Sequence, residues 1–248
     1  LWAKTLIGNS QDPRLEECWR WASSADLSSP KTKKSVAILS YPDDEGVRLN
    51  NGRPGASEGP ARILYYLGRM IKQSKTPEII VLGNRFPQLR LSERHEAAEE
   101  NLHLVFKKGY RAISLGGGHD YGFPDAAAFY RSFKSKILNI DAHMDVRPVV
   151  DQKLNSGTAF WRFAEKYKGS SLISWGLQEH CNAESQKDWA RSKKIKLLSY
   201  TQAMPKIPGR VGLSICLDAF AGIRGVSAPS VLGLSPEQGA KVIASFGK

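Results

Sequence analysis

The chain has 248 residues, with 36 Lys and Arg against 24 Asp and Glu, so its formal net charge is +12. An apolar content of 41% with 9% aromatic residues excludes a disordered chain, and no apolar run reaches the roughly 18 residues of a transmembrane helix. Because no break in composition divides the chain, we expect a single domain over residues 1–248.

The location and partners of the protein follow in outline from the same data. The amino terminus has no signal pattern, and Cys18, Cys181 and Cys216 are too few for a disulfide framework, so we expect a cytoplasmic protein without a membrane partner. The basic residues are scattered and lack interleaved aromatic residues or a binding motif, so we expect no nucleic-acid partner. A basic exterior can attract an anionic small-molecule substrate.

Predicted strands and helices alternate along the chain. The first 34 residues are polar and rich in serine, and we expect them to wrap around the outside as an N-terminal extension. Continuous apolar runs, typical of parallel strands buried on both faces, follow. The predicted strands cover residues 36–40, 78–82, 112–115, 137–140, 172–175, 195–198 and 211–217.

Helices are predicted between the strands. Ser57 and Ser92 are expected to cap the first two, and Gly109 is expected to end the second. The apolar face predicted for the first helix consists of Ile63, Leu64, Leu67, Met70 and Ile71. Further helices are predicted over residues 125–133 and 157–167. This alternation predicts a three-layer α/β/α fold with a central parallel sheet.

Ligands of such sheets bind beyond the carboxyl ends of the strands, so functional residues are expected there. Chemically active side chains lie at or just after the ends of three predicted strands: His119, Asp141, His143, Asp145, Cys216 and Asp218. Three glycines before His119 are expected to let the chain turn sharply. Each motif alone is typical of a turn or a solvated strand end, but together these buried polar groups need mutual compensation. Converging carboxylates and imidazoles favour a divalent ion such as Mn²⁺ or Zn²⁺.

Three motifs resemble the signatures of the ureohydrolase superfamily, which includes arginase, agmatinase and formimidoylglutamase. They are Gly-Gly-Gly-His119-Asp120, Asp141-Ala-His143-Met-Asp145 and Ser214-x-x-x-Asp218, and the resemblance extends from about Asp44 to Leu234. It implies an arginase-like fold with a binuclear manganese site and, by analogy, a homo-oligomer. The metal ligands implied by the resemblance are His119, Asp141, His143, Asp145 and Asp218.

Within the superfamily the chain is most similar to formimidoylglutamase. Residues 46–53, 155–158 and 225–229 resemble that branch, whereas Gly118 and Phe160 differ from the residues of arginases. The resemblance implies hydrolysis of a linear amidine C–N bond, from N-formimidoyl-L-glutamate to L-glutamate and formamide, a step of histidine degradation. The alternatives are an arginase, agmatinase or guanidino-acid hydrolase and, in another class, a non-catalytic relative.

The resemblance also implies residue roles. Asp145 would pass a proton to the leaving nitrogen, with His143 as the second catalytic candidate. Short polar side chains on a loop can bind the amino-acid end of a substrate, and Arg147 can meet a carboxylate or form a structural ion pair. The candidate substrate contacts are Asn155, Ser156, Thr158 and Arg147.

Two departures from the family pattern affect these expectations. Cys216 stands where the family usually has an aspartate that bridges both ions. Because a thiolate favours softer ions than manganese, we expect reduced manganese occupancy. The sequence also stops soon after Ser235, where relatives continue through a further strand and helices, so the C-terminal part of the family domain is expected to be missing.

Overall fold

The computed structural model describes residues 12–83 and 88–246, and in this part of the chain strands and α-helices alternate. The strands are β1 (Trp19–Ala22), β2 (Val36–Ser40), β3 (Ile79–Gly83), β4 (Arg111–Leu115), β5 (Lys136–Ile140), β6 (Leu172–Leu177), β7 (Lys196–Ser199) and β8 (Val211–Ile215). The α-helices are α1 (Glu45–Leu49), α2 (Gly59–Gly68), α3 (Leu91–Lys108), α4 (Gly122–Phe133), α5 (Ala159–Lys166), α6 (Glu184–Ser192) and α7 (Pro236–Ser245).

All eight strands pair in parallel, which confirms the predicted α/β architecture. Backbone hydrogen bonds join them into two four-stranded sheets, with the orders β1-β3-β2-β4 and β7-β6-β5-β8. The single central sheet expected from the sequence is therefore divided, with β4 and β8 as edge strands. At their carboxyl ends, His119 Nε2 and Ser214 Oγ lie 2.9 Å apart and link the two sheets.

Helices cover both faces of the sheets. In β2, Ala37 and Leu39 pack with α3, whereas Ile38 packs with α2 on the opposite face. In β5, Ile137 packs with α4 and α5, and Leu138 packs with α7. This alternation is the period-two pattern of a strand buried on both sides. None of the helices among the described residues is long and apolar enough to cross a membrane.

The predicted N-terminal extension contributes to the first sheet. Trp19–Ala22 forms β1, which pairs in parallel with β3. Trp19 packs in the cluster beneath α2, whereas the side chain of Trp21 is 58% exposed, as expected for an edge strand. The expectation that residues 1–34 wrap around the outside is therefore wrong for this segment, and residues 1–11 lie outside the described residues.

The two predicted serine caps are not formed. Ser57 donates a hydrogen bond to the carboxylate of Asp44 instead, at 3.3 Å. Ser92 lies inside α3, whose N-cap residue is Arg90. The predicted end of that helix is confirmed, because Gly109 follows it with φ of 95°.

The apolar face predicted for α2 is only partly buried. Leu64 and Leu67 pack against the first sheet, but Ile63, Met70 and Ile71 are 42%, 57% and 48% exposed. Met70 and Ile71 come after the end of α2 and therefore leave its helical periodicity. Ile63 precedes Leu64 by one residue, so it turns by about 100° away from the buried stripe.

Candidate metal centre

Polar side chains from both sheets converge where β4, β5 and β8 end. His119 opens the turn between β4 and α4, and Asp141 directly follows β5. Cys216 and Asp218 follow β8, the neighbour of β5 in the second sheet. The carboxyl ends of parallel strands share one edge, so residues distant in sequence meet here.

The glycines before His119 are required by close packing. A Cβ atom on Gly117 would lie 1.9 Å from the carbonyl oxygen of Asp43, and the N–H of Gly118 donates to the same oxygen at 2.8 Å. A Cβ atom on Gly118 would lie 2.2 Å from the Asp120 carboxylate. Gly118 has φ of −72°, which any residue adopts, so the expected sharp turn is not the reason for glycine at this position.

Asp141 belongs to both of two groups of converging ligand atoms. One group comprises His119, Asp141 and Cys216, the other Asp141, His143 and Asp218, and within each group the atoms lie within 4.8 Å of one another. His119 Nδ1 is 2.9 Å from Asp141 Oδ2. His143 Nδ1 is 3.6 Å from Asp141 Oδ1 and 3.1 Å from Asp218 Oδ2. Two ions placed in these groups would share the Asp141 carboxylate.

Two carboxylate oxygens at this centre are buried and have hydrogen-bonding capacity to spare. Asp218 Oδ1 has no hydrogen-bond partner, and Asp141 Oδ2 faces His119 Nδ1 at 2.9 Å; the two side chains are 7% and 1% exposed. An unpaired buried carboxylate oxygen is costly, and a cation offsets that cost. Together with two imidazoles, these oxygens form a donor set that fits divalent metal ions.

Both imidazoles are held in the charged form. Hydrogen bonds to Asp141 and Asp218 raise the pKa of His143 to about 11. Burial opposes the charge on His119, but hydrogen bonds to Asp141, Asp145 and the Cys216 sulfur outweigh it and raise the pKa of His119 well above its ordinary value. Metal binding through these nitrogens therefore releases protons.

The acidic groups are shifted in different directions. Burial and the nearby Asp141 carboxylate raise the pKa of Asp145 to about 6 and also raise the pKa of Asp218. Burial alone would raise the pKa of Asp141, but the hydrogen bonds from His119 and His143 lower it. Burial and Asp141 raise the pKa of the Cys216 thiol well above its ordinary value, so we treat this thiol as neutral. The negative charge around His119 therefore comes from Asp141 and Asp145.

Asp145 lies beside the two groups. Its Oδ2 is 2.9 Å from His119 Nδ1, and its carbonyl oxygen accepts the N–H of Phe160 at 3.0 Å. Its φ of 51° lies in the left-handed region, which non-glycine residues seldom adopt. Backbone strain of this kind is concentrated at functional sites.

The four candidate substrate contacts lie on adjacent segments but have different surroundings. Thr158 is 1% exposed, and its hydroxyl donates to the carbonyl oxygen of Asn155. The side chain of Asn155 accepts the N–H of Gly157, so both residues stabilise the turn before α5. Ser156 is half-buried and Arg147 is exposed. The last two therefore have side chains that a substrate can reach.

Asn50, which is not among the predicted site residues, joins Ser156 and Arg147. Its amide nitrogen donates to Ser156 Oγ at 3.0 Å, and its amide oxygen accepts a hydrogen bond from Arg147 at 2.7 Å. Asn50 follows α1, which is far from both partners in the sequence. Its place within residues 46–53, a segment that resembles one branch of the superfamily, is the signal that could have indicated a role.

A buried chain of hydrogen bonds supports the turn that contains His119. Arg162 donates to His95 Nδ1, and His95 Nε2 donates to Asp120, each at 2.8 Å. His95 is fully buried, and the guanidinium of Arg162 lies 3.7 Å from the ring centroid of Phe123. This network fixes Asp120, the neighbour of His119 in the sequence.

Comparison with known proteins gives concordant matches. The model of the Arginase family matches residues 34–248. The formimidoylglutamase of Staphylococcus aureus (strain bovine RF122 / ET3-1) is 31% identical over 265 residues, covering 95% of this chain and 82% of that protein. The fold is similar to that of a formiminoglutamase variant from Trypanosoma cruzi with Mn²⁺, with a TM-score of 0.80, 24% identity, and coverage of 92% and 83% of the two chains. It is also similar to the formimidoylglutamase of Bacillus subtilis, with a TM-score of 0.81, 15% identity, and coverage of 98% and 83%.

Proposed function

The chain belongs to the arginase family, and from this premise we propose that it is a metal-dependent hydrolase of N-formimidoyl-L-glutamate, with L-glutamate and formamide as products. The observation that supports hydrolysis best is the Asp141 carboxylate between two groups of converging metal-ligand atoms. The similarity to formimidoylglutamases supports this substrate.

Manganese(II) fits most of the donor set at this centre. One ion would be held by His119 and Asp141 and a second by His143, Asp141 and Asp218, with Asp145 beside the first. When bound, such ions supply the Lewis acidity that makes water a nucleophile near neutral pH. The neutral thiol of Cys216 is the weak donor in the set, and it reduces the affinity for manganese.

The side chains around the ions would position the amidine and move its proton. Water adds to the amidine carbon, and the bond to the glutamate nitrogen breaks as that nitrogen takes a proton. Asp145, which is 13% exposed and hydrogen-bonded to His119, is our candidate for the proton donor. His143 is 28% exposed, and Asp218 holds its imidazole at 3.1 Å.

The glutamate end of the substrate carries two carboxylates, which require cationic or hydroxyl donors. We place Arg147 and Ser156 in that role, because Asn50 contacts both side chains and holds them near each other. An arginine fork binds a carboxylate through two hydrogen bonds. Asn155 and Thr158 would act by shaping this loop.

Hydrolysis of a guanidino compound is the competing activity. Phe160 is fully buried, and its ring centroid lies 5.7 Å from that of His119, in the neighbourhood of the arginase proton-shuttle histidine. A benzyl ring cannot move protons, which favours the formimidoyl substrate. The test is product analysis with formimidoyl-glutamate, arginine, agmatine and guanidinobutyrate in the presence of added manganese. Urea from a guanidino compound, without formamide, would reject the proposed substrate.

The proposed role of Asp145 is tested by Asp145→Asn. General acid catalysis contributes roughly 10²–10⁴-fold, so turnover should fall by about that factor. Asp188→Asn is the matched control, because Asp188 lies on α6 and its side chain is 67% exposed. Turnover close to wild type in Asp145→Asn, with manganese bound, would reject the role. No turnover of any substrate by the manganese-loaded wild type would leave the non-catalytic alternative.

The oligomeric state, the absence of a nucleic-acid partner and the location of the protein are further proposals. We propose a homo-oligomer, and the exposed apolar side chains of Tyr66 and Met70, at 67% and 57% exposure, support a contact surface near α2. Light scattering of the purified protein tests this assignment. The proposed absence of a nucleic-acid partner is tested by a salt-titrated binding assay, and the proposed cytoplasmic location by fractionation.

A further inference from the structure

A basic cavity lies at the amino ends of the second sheet, away from the metal centre. Its volume is about 710 Å³, and it is bounded by the end of α4 and the residues before β5, β6 and β8. The lining residues that concern its chemistry are Tyr130, Lys134, Lys136, Lys168, Ser171 and Arg210. The metal ligands follow the opposite ends of β5 and β8, and a five-residue strand spans about 16 Å. The cavity is therefore separate from the proposed substrate site.

The charge of this cavity is uncompensated. Four of its lining residues are cationic, and no Asp or Glu is present among the lining residues. The ion pairs of residues 12–83 and 88–246 involve none of these four cations: Lys134, Lys136, Lys168 and Arg210. Like charges gathered in a concave surface produce a focused positive potential, which attracts anions.

Three of the cations are oriented by groups other than carboxylates. The ammonium of Lys134 lies 5.1 Å from the ring centroid of Tyr130, and the guanidinium of Arg210 lies 4.1 Å from that of Phe133. The ammonium of Lys136 donates to the carbonyl oxygen of Ser170 at 2.6 Å. All four cationic residues are exposed, and these contacts orient three of them without neutralising their charge.

We propose that this cavity binds a small phosphate-bearing anion, either inorganic phosphate or a phosphate monoester. Arginine and lysine together favour phosphate, because its three terminal oxygens accept several charge-assisted hydrogen bonds at once. Ser171 also lines the cavity, and a serine hydroxyl is a further donor. The volume lies in the range of small-molecule sites, which leaves room for an organic group on the phosphate.

Calorimetric titration of the full chain tests the proposal, with inorganic phosphate and glucose 6-phosphate as probes and glucose as the uncharged control. The double variant Lys168→Gln/Arg210→Gln should bind both phosphates about tenfold more weakly or worse, because two charge-assisted contacts are lost. The matched control is Arg62→Gln/Lys241→Gln, which removes the same charges from side chains that are 75% and 74% exposed elsewhere.

The titrations distinguish a site for inorganic phosphate, a site for a phosphate monoester and the absence of a specific site. Tighter binding of glucose 6-phosphate than of phosphate would identify a monoester site, and the reverse would identify a phosphate site. Equal weakening in both double variants would overturn the proposal, because the net charge of +12 would then explain the binding. Failure of the wild type to bind either probe at millimolar concentration would also overturn it. Unchanged melting temperatures verify that the variants are folded.

Discussion

Replacement of Cys216 by aspartate tests how this chain holds metal. The thiol is neutral because burial and Asp141 raise its pKa, so it offers a poor donor between His119 and Asp141. Aspartate at this position would supply two hard oxygens that manganese prefers. We expect Cys216→Asp to bind more manganese than the wild type.

The expected change in the free energy of unfolding of Cys216→Asp has two parts of opposite sign. Without metal, the variant buries another carboxylate, and attraction to the charged His119 offsets repulsion by Asp141. The remaining desolvation should lower the free energy of unfolding by about 1–3 kcal/mol. An added manganese ion at 100 times its dissociation constant stabilises the folded state by about 2.7 kcal/mol. For a chain of this length that corresponds to a rise of about 5–11 °C in melting temperature.

The assay combines metal content by mass spectrometry with melting curves, before and after dialysis against excess manganese. Cys216→Asn is the matched control, because asparagine has the shape of aspartate without its charge. Asparagine should bind no more manganese than the thiol does. Two tightly held manganese ions in the wild type, or the same gain with asparagine, would refute the argument.

Two further predictions concern the glycine backbone before His119 and the charge of the metal centre. Gly117→Ala should destabilise the fold by about 1–3 kcal/mol in denaturant titrations, because its Cβ would lie 1.9 Å from the Asp43 carbonyl oxygen. Gly116→Ala is the control and should be close to neutral, since its Cβ meets only one atom, at 3.8 Å. In the chelator-treated protein, the pKa values of Asp145 (about 6) and His143 (about 11) are raised above their unfolded values. Both groups therefore stabilise the fold most at low pH, and His143 loses its contribution as pH rises from about 6.5 toward 11. Melting temperature should fall over that interval, and His143→Gln should reduce the fall; an identical fall in both proteins would contradict this assignment.

Most of the strands could be predicted from the sequence, because continuous apolar runs are a strong signal for strands buried on both faces. β1 is absent from the predicted strands, since it is an edge strand of four residues, none of which is fully buried. α6 was missed because Ala190 is its one buried residue among those described. α7 had a signal that was overlooked, since Ser235 and Gln238 form a capping box around Pro236.

The polar residues of the candidate site could be identified from the sequence, but their partners could not. The positions of His119, Asp141 and Asp218 after apolar runs indicated one edge of a sheet. The contact of Asn50 with Ser156 spans 106 residues, and no local pattern encodes such a contact. The glycine positions were evident, whereas their reason was not, because the backbone of Asp43 approaches Gly117 only in the folded chain.

The parallel pairing of all eight strands has a consequence for how fast the protein folds. Parallel neighbours cannot form by a hairpin, so each pairing requires the closure of a long loop. Two contacts at the metal centre span long stretches of the chain: His119 and Ser214 are 95 residues apart, and His143 and Asp218 are 75 residues apart. Structures dominated by such non-local contacts refold slowly. Ligands from the two sheets therefore meet only after the sheets have formed. Manganese present during refolding should not accelerate refolding, but manganese bound to the folded protein should slow its unfolding.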